Sequence, residues 1–368
     1  MQRNLNLQIW IFTALIVASG LVVLYSASYQ NARVSHQVFY DQLWMAATGF
    51  VVMFILSRID YRKFYDLAYV FYGFCVVLLV FVLMGGRHAL GATRWLTFGP
   101  ISFQPSELAK LGLILALGRY FSDTRPAVRF SLQNIRGVLW RDLFAPLILT
   151  LVLMLLIFKQ PDLGTSLLFF GIFIAMLFVS YLEYRYILGF LFVCLAAVPF
   201  AWGLLKQYQK DRLLVFLNPN IDPLGTGYTI IQSKIAIGSG QIFGKGWLAG
   251  TQNQLNFLPE RHTDFIFSVI GEEWGVVGTL AVLFFYFMLV FTAIRVAEQV
   301  KDKFGVQVTT GIMMILTLQV IINMGMVLGL FPVVGLTLPL ISYGRSSFMV
   351  FMIMLGILLS ISRRRTIF

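Results

Sequence analysis

Four ionisable side chains crowd into five residues at Glu260-Arg261-His262-Thr263-Asp264, immediately before an apolar run that opens Phe265-Ile-Phe267. At such a boundary charges sit at the lipid headgroup level, where each costs free energy unless it is paired or hydrated. Asp264 or Thr263 fits the cap of the helix that follows. In the other reading Asp264 is a general base. A helix N-terminus lowers a carboxylate's pKa, whereas burial under a covering loop and the nearby Glu260 raise it. The sequence leaves that balance open.

Lys110 poses the second chemical question. It lies one turn inside an apolar run that opens Gln104-Pro-Ser-Glu107-Leu-Ala-Lys110. A lysine well inside a bilayer costs about 2.5–3.5 kcal/mol on insertion scales, so an anion must compensate. In one reading Glu107, three residues away, pairs with it; in the other Lys110 meets an anionic substrate group and Glu107 orients it. Pro105 fits a helix start. Asp162, in Gln160-Pro-Asp-Leu-Gly-Thr-Ser166, repeats this entry pattern and reads as a helix cap or as a substrate contact. Glu272 and Glu273 lie two turns beyond Asp264 and read as interhelical glue before proton-relay groups.

Soluble-enzyme motifs are missing. Gly238-Ser-Gly-Gln-Ile-Phe-Gly-Lys-Gly246 lacks the spacing and the Ser/Thr of a phosphate loop. The chain has 3 histidines and no H-E-x-x-H pair, which argues against catalytic zinc. Cys75 and Cys194 lie in apolar runs with no C-x-x-C spacing.

The elements that must position these groups are membrane helices. Of 368 residues 59% are hydrophobic and 12% charged, and the mean hydropathy is +0.82, which excludes a pair of soluble domains. A spanning helix needs about 20 apolar residues, and such runs centre near 7–25, 43–57, 67–85, 105–120, 143–158, 164–181, 186–205, 265–294, 307–331 and 343–361. The fold class expected is an all-α polytopic membrane protein. It has about ten transmembrane helices and one long, partly folded extracytoplasmic loop. Residues 1–368 form a single integral membrane domain, and residues 206–263 are that loop, between the seventh and eighth helices. The eighth run is long enough to tilt or to extend past the membrane.

The net charge of +12 does not indicate nucleic acid, because the cations sit in short strips between apolar runs. With a cytoplasmic N-terminus those strips hold 16 of the 28 Lys and Arg, among them Arg58, Arg62, Arg125, Arg129, Arg136 and Arg363 to Arg365. Both termini are therefore expected inside and the long loop outside. On that outer face gather Lys110, the loop cations Arg212, Lys234, Lys245 and Arg261, the helix-mouth carboxylates and an aromatic, glycine-rich cover. A ligand with an apolar tail, an anionic linker and a polar head uses all of these. A lipid-linked diphosphate sugar has that anatomy.

Several motifs then carry a resemblance to a known family. They are Arg94-Trp-Leu with Phe103-Gln-Pro-Ser-Glu-Leu-Ala-Lys110; Gln160-Pro-Asp-Leu-Gly-Thr-Ser166; Asp222-Pro-Leu-Gly-Thr-Gly-Tyr228; Gly244-Lys-Gly-Trp247; Phe257-Leu-Pro-Glu-Arg-His-Thr-Asp-Phe-Ile-Phe267; and Pro339-Leu-Ile-Ser-Tyr-Gly344. Over nearly its whole length the chain resembles the SEDS family (shape, elongation, division and sporulation), and within it the cell-elongation members. The resemblance implies a peptidoglycan glycosyltransferase of the bacterial cytoplasmic membrane that polymerises lipid II on the outer face. It places the residue essential for polymerisation at Asp264. Glu107, Lys110, Asp162, Arg212, Lys234 and Arg261, singled out by their own charge and position, are the candidate substrate contacts. Implied partners are lipid II and undecaprenyl-linked glycan, a class B penicillin-binding protein, and other membrane proteins of the elongation machinery. No cofactor is certain, and a divalent cation is left open. Two rival readings are a lipid II flippase and a non-catalytic scaffold for a penicillin-binding protein. One residue departs from the family pattern: after Ser342-Tyr-Gly344 a second glycine is usual, and this chain has Arg345. Were that position to need a positive φ, an arginine would strain it.

Overall fold

A computed structural model of the chain describes residues 2–29, 32–85, 87–89, 92–98, 101–124, 137, 139–223 and 225–364. Arg125, Arg129, Arg136 and Arg365, four of the cations used to orient the chain, lie outside them, as does Leu224 of the Asp222–Tyr228 motif.

In a hydrocarbon solvent each backbone N–H and C=O must be satisfied within its own segment, so the long apolar runs fold as helices. These are α1 (Gln2–Ser28), α2 (Ala32–Arg58), α3 (Arg62–Gly85), α4 (Pro105–Asp123), α5 (Ala145–Lys159), α6 (Leu163–Phe178) and α7 (Tyr184–Ala201). The 206–263 segment then forms α8 (Gln207–Leu217), α9 (Thr226–Gly240) and α10 (Thr251–Gln254), before α11 (Ile266–Gln299), α12 (Lys303–Val327) and α13 (Arg345–Arg364). Among the described residues, 7 helices are by length and composition able to cross a membrane: α1, α2, α3, α5 with the π-helical turn before it, α11, α12 and α13. α6 and α7 are shorter apolar helices, and α4 carries Glu107, Lys110, Arg119 and Asp123 within its 19 residues. Together they occupy the positions at which the sequence places spans, and the polytopic helical fold is as expected.

Helix starts follow from local chemistry. Pro105 at the first turn of α4 has no N–H to leave unpaired. Asp162 accepts from the Thr165 N–H at 3.2 Å at the start of α6, and Asp302 accepts from Gly305 N–H at 2.9 Å at the start of α12. The centre of the bundle is α12 and α13, which pack against α2, α4, α6 and α11. By contrast, α2, α3 and α7 leave Trp44, Val70, Phe81, Phe192 and Phe200 exposed, an apolar exterior suited to lipid.

Two features depart from the expected layout. The connection between α3 and α4 is a three-stranded antiparallel sheet, β1 (Arg87–Ala89), β2 (Ala92–Phe98) and β3 (Ile101–Phe103), with Leu96 opposite Phe103 and Thr97 opposite Ser102. Thr93, Trp95, Thr97 and Phe98 in Ala92-Thr-Arg-Trp-Leu-Thr-Phe98 are β-branched or aromatic residues that favour a strand. The long eighth run also proves to be two helices merged across a break at Gly275, where φ is +65° and ψ is −159°. The break receives the turn that follows α9. Val276 and Val277 N–H donate to Gln241 and Ile242 C=O at 2.9 and 3.1 Å, and Lys245 and Gly246 N–H donate to Glu272 and Glu273 C=O at 3.0 Å each. A Cβ on Gly275 would lie 2.4 Å from Gly244 N, so only glycine permits this approach.

Glu272 and Glu273 complete the same junction. Glu272 accepts from Lys245 Nζ at 2.8 Å, Thr251 Oγ1 at 3.1 Å and Gln252 N–H at 2.9 Å, and Glu273 accepts from the Ser26 hydroxyl of α1. The two carboxylates thereby bind the long loop and α1 to α11, which is the glue role.

Candidate active site

A cavity of about 550 Å³ opens at the end of the bundle that carries the long loop. Its wall draws on β2 and β3 (Arg94, Trp95, Ser102), the start of α4 (Gln104, Glu107) and of α6 (Asp162, Thr165), and α8 (Arg212). The Glu260–Asp264 turn and the 334–347 segment close the rest. Segments far apart in the chain therefore meet around one polar volume.

Asp264 stands in that wall and caps nothing: α11 begins at Ile266 after Phe265, with no side-chain cap. Its carboxylate accepts no hydrogen bond among the described residues. Its backbone, in contrast, is clasped. Tyr343 N–H donates to His262 C=O at 2.9 Å, the Ser342 hydroxyl to Thr263 C=O at 2.5 Å, and Asn323 Nδ2 to Asp264 C=O at 2.9 Å. Glu260, at φ +48°, starts the turn and accepts from Thr263 N–H at 3.1 Å. Gly335, at φ +73°, faces the carboxylate, and a Cβ there would come within 3.4 Å of Asp264 Oδ2.

Enclosure by protein pushes the Asp264 pKa up to about 6, and the Glu260 charge adds to the rise while Arg212 and Arg94 oppose it. Its small remaining exposure is to the cavity. Burial also lowers His262, which leaves the imidazole uncharged at neutral pH. The site thus offers one free carboxylate of intermediate basicity beside arginine cations, an arrangement able to take a proton from a hydroxyl near an anionic group.

The other residues singled out in the sequence divide into three placements. Glu107, Asp162 and Arg212 line the cavity with Asp264. Lys110 sits behind the wall at 1% exposure, with its ammonium 2.7 Å from Glu107 Oε1 and 3.1 Å from Gln319 Oε1. Gln319 in turn donates to Thr337 C=O at 3.0 Å, and Glu107 Oε2 is buried without a partner. Lys234 and Arg261 are not part of the cavity wall. Lys234 is an exposed residue of α9 that lies against Gly329, and Arg261 holds the loop through Asn253 C=O at 2.5 Å and the Asn256 side chain. Among the described residues no group of three His, Cys, Asp or Glu side chains is arranged to hold a metal ion.

Sequence reasoning gave Arg94 no role beyond its motif; it donates to Gln160 and Pro161 C=O and lies 3.9 Å from Asp162 Oδ2. Ser342 likewise stood only within a motif, and Asn323, Ser346 and Ser347 were missed. Ser346 Oγ accepts from Gln104 N–H at 3.0 Å and so joins α13 to the entry of α4. The clustering of Ser342, Ser346 and Ser347 at the mouth of an apolar run was the available signal.

Comparison with known proteins gives a consistent picture. The family model described as cell cycle protein, covering FtsW, RodA and SpoVE, matches residues 6–367. Peptidoglycan glycosyltransferase MrdB of Escherichia coli K12 is 43% identical over 360 residues, covering 96% of this chain and 92% of that protein. A probable peptidoglycan glycosyltransferase FtsW of Geobacter metallireducens is 39% identical over 368 residues, covering 98% and 95%. Among solved structures, a chain from a peptidoglycan synthase complex that coordinates polymerization and crosslinking superposes with a TM-score of 0.81 at 35% identity, covering 97% of each chain. The rod shape determining protein RodA of Thermus thermophilus gives a TM-score of 0.71 at 34% identity, covering 97% and 96%. A membrane-helix bundle with the Asp264 cavity at one end, matched along almost its full length, belongs to the FtsW/RodA/SpoVE family.

Proposed function

We propose that this chain is a peptidoglycan glycosyltransferase that polymerises lipid II into β-1,4-linked glycan strands during cell elongation. The observation that carries the site assignment is Asp264: a carboxylate that caps no helix, faces the cavity and has a pKa near 6. Such a base is ionised at neutral pH and still strong enough to accept a proton from a hydroxyl as that hydroxyl attacks.

In the reaction the 4-hydroxyl of the incoming lipid II sugar attacks the anomeric carbon of the growing strand. The new C–O bond forms as the bond to undecaprenyl diphosphate breaks, with inversion, and Asp264 takes the hydroxyl proton before releasing it to water. The departing diphosphate needs cations where its charge develops. Arg212, in the wall and without an ion pair or hydrogen bond among the described residues, is the first candidate, and Arg94 holds the Asp162 corner beside it. Glu107, paired with Lys110 through Oε1, has Oε2 without a partner, and Oε2 is the oxygen for a sugar hydroxyl or amide. Lys234 and Arg261 act on the loop that covers the site. A divalent cation that arrives with the diphosphate needs only one or two protein carboxylates.

The protein lies in the bacterial cytoplasmic membrane with both termini cytoplasmic and the cavity on the outer face. Support comes from the cation strips at the opposite end, where Arg364 donates to Arg58 and Ile59 C=O at 2.8 and 2.9 Å. A class B penicillin-binding protein is the expected partner, with other membrane proteins of the elongation machinery, on the strength of the likeness to a chain of a synthase complex.

Purified protein in detergent, given lipid II and no partner, tests the function. Glycan strands are expected. With no membrane present, transport alone yields none, and a pure scaffold likewise yields none; absence of strands even with an inactivated partner added would overturn the reading.

A further inference from the structure

Arg345 is the first residue of α13 and part of the cavity wall. It lies in helical backbone and not among the residues of positive φ, so the arginine does not strain the turn it occupies. Its guanidinium is fixed from α2: Nη2 donates to Asp41 Oδ2, and the Tyr343 hydroxyl donates to the same oxygen at 3.4 Å. The two charged side chains keep 30% and 31% of their surface exposed.

As a stability device this arrangement is poor. A cation at a helix N-terminus opposes the macrodipole, and a partly exposed ion pair contributes little. As a ligand contact it is well made. A guanidinium has five N–H donors in a planar fork, and Asp41 takes one of them while fixing its direction. Beside it in the wall stand Ser346 and Ser347, in the first turn of α13.

Resting on the functional reading above, we propose that Arg345 is a specificity-determining cation of this cavity that binds an oxyanion of the substrate, with Asp41 as its positioning residue. The oxyanion is a phosphate of the lipid diphosphate or a carboxylate of the peptide stem; the same fork fits both.

Equilibrium binding separates this from catalysis, because it needs no turnover. Wild-type protein, Arg345→Met, Arg345→Lys and Asp41→Asn are titrated in detergent with undecaprenyl diphosphate and, separately, with a soluble muramoyl pentapeptide. Arg345→Met is expected to weaken one of the two by about tenfold, the loss of one charge-assisted contact. The ligand affected identifies the oxyanion. Arg345→Lys should recover part of the loss, and Asp41→Asn, which keeps the guanidinium but no longer fixes its direction, should weaken the same ligand by a smaller factor, about threefold. Binding of both ligands unchanged in Arg345→Met would overturn the proposal, as would an Asp41→Asn loss equal to that of Arg345→Met, which would mean the pair only shapes the wall. A chain that makes no glycan but loses binding in Arg345→Met sinks the polymerase reading and leaves this one standing.

Discussion

Asp264 gains protons as the pH falls through about 6, and a base that is protonated cannot accept the hydroxyl proton. Polymerisation by the purified chain should therefore be flat above about pH 7 and fall on the acid side, with half the rate lost near pH 6. Glu260 is one of the causes that raise this pKa, so Glu260→Gln should move the inflection to lower pH. An inflection that does not move, or a rate that rises as the pH drops, would detach the pH dependence from Asp264. The free carboxylate was visible in the sequence as a residue type at a helix mouth. Its freedom was not, because capping depends on whether α11 starts at Ile266 or earlier, and a one-residue difference decides it.

At the scale of elements, the break in α11 joins the loop to the bundle. Gly275→Ala would put a Cβ 2.4 Å from Gly244 N at φ +65° and ψ −159°, an essentially glycine-only conformation that costs another residue about 1–3 kcal/mol before any clash is counted. The variant should melt lower in detergent and lose activity in step; an unchanged melting temperature would mean that the inserted turn carries no weight. The spans were legible because apolar run length is a one-dimensional property. The break was not, since Trp274-Gly-Val-Val reads as continuous apolar sequence, and the turn that fills it comes from residues 241–246. β2 was likewise hidden in a short connection, and with it Arg94. Lys234 and Arg261 show the converse limit: a cation near the site in sequence has no stated direction, and these two turn toward Gly329 and toward the Asn253 and Asn256 pair.

Across the whole molecule, Arg345 lines the cavity at the start of α13 and pairs with Asp41 of α2, while Arg364 and Arg58 meet at the far ends of the same two helices. A single cysteine introduced at Asn220, with Cys75 and Cys194 replaced by serine, should react with an impermeant maleimide on intact cells stripped of any outer membrane. One at Lys63 should react only after the membrane is opened. The reverse pattern would turn the site to the cytoplasm and remove the outer-face assignment. The overall bundle was readable from hydropathy alone. The site was not, because it is assembled by the Asn323, Ser342 and Tyr343 contacts to the 262–264 backbone, which join residues 59 to 81 positions apart.

The most direct measurement compares wild-type protein and Asp264→Asn side by side in detergent, reading glycan strands made from lipid II and, on the same preparations, melting temperature and undecaprenyl diphosphate binding. The variant should fold and bind as wild type does while its polymerisation rate falls at least about a hundredfold, the contribution of a positioned general base. Strands formed by Asp264→Asn at close to the wild-type rate would contradict the account.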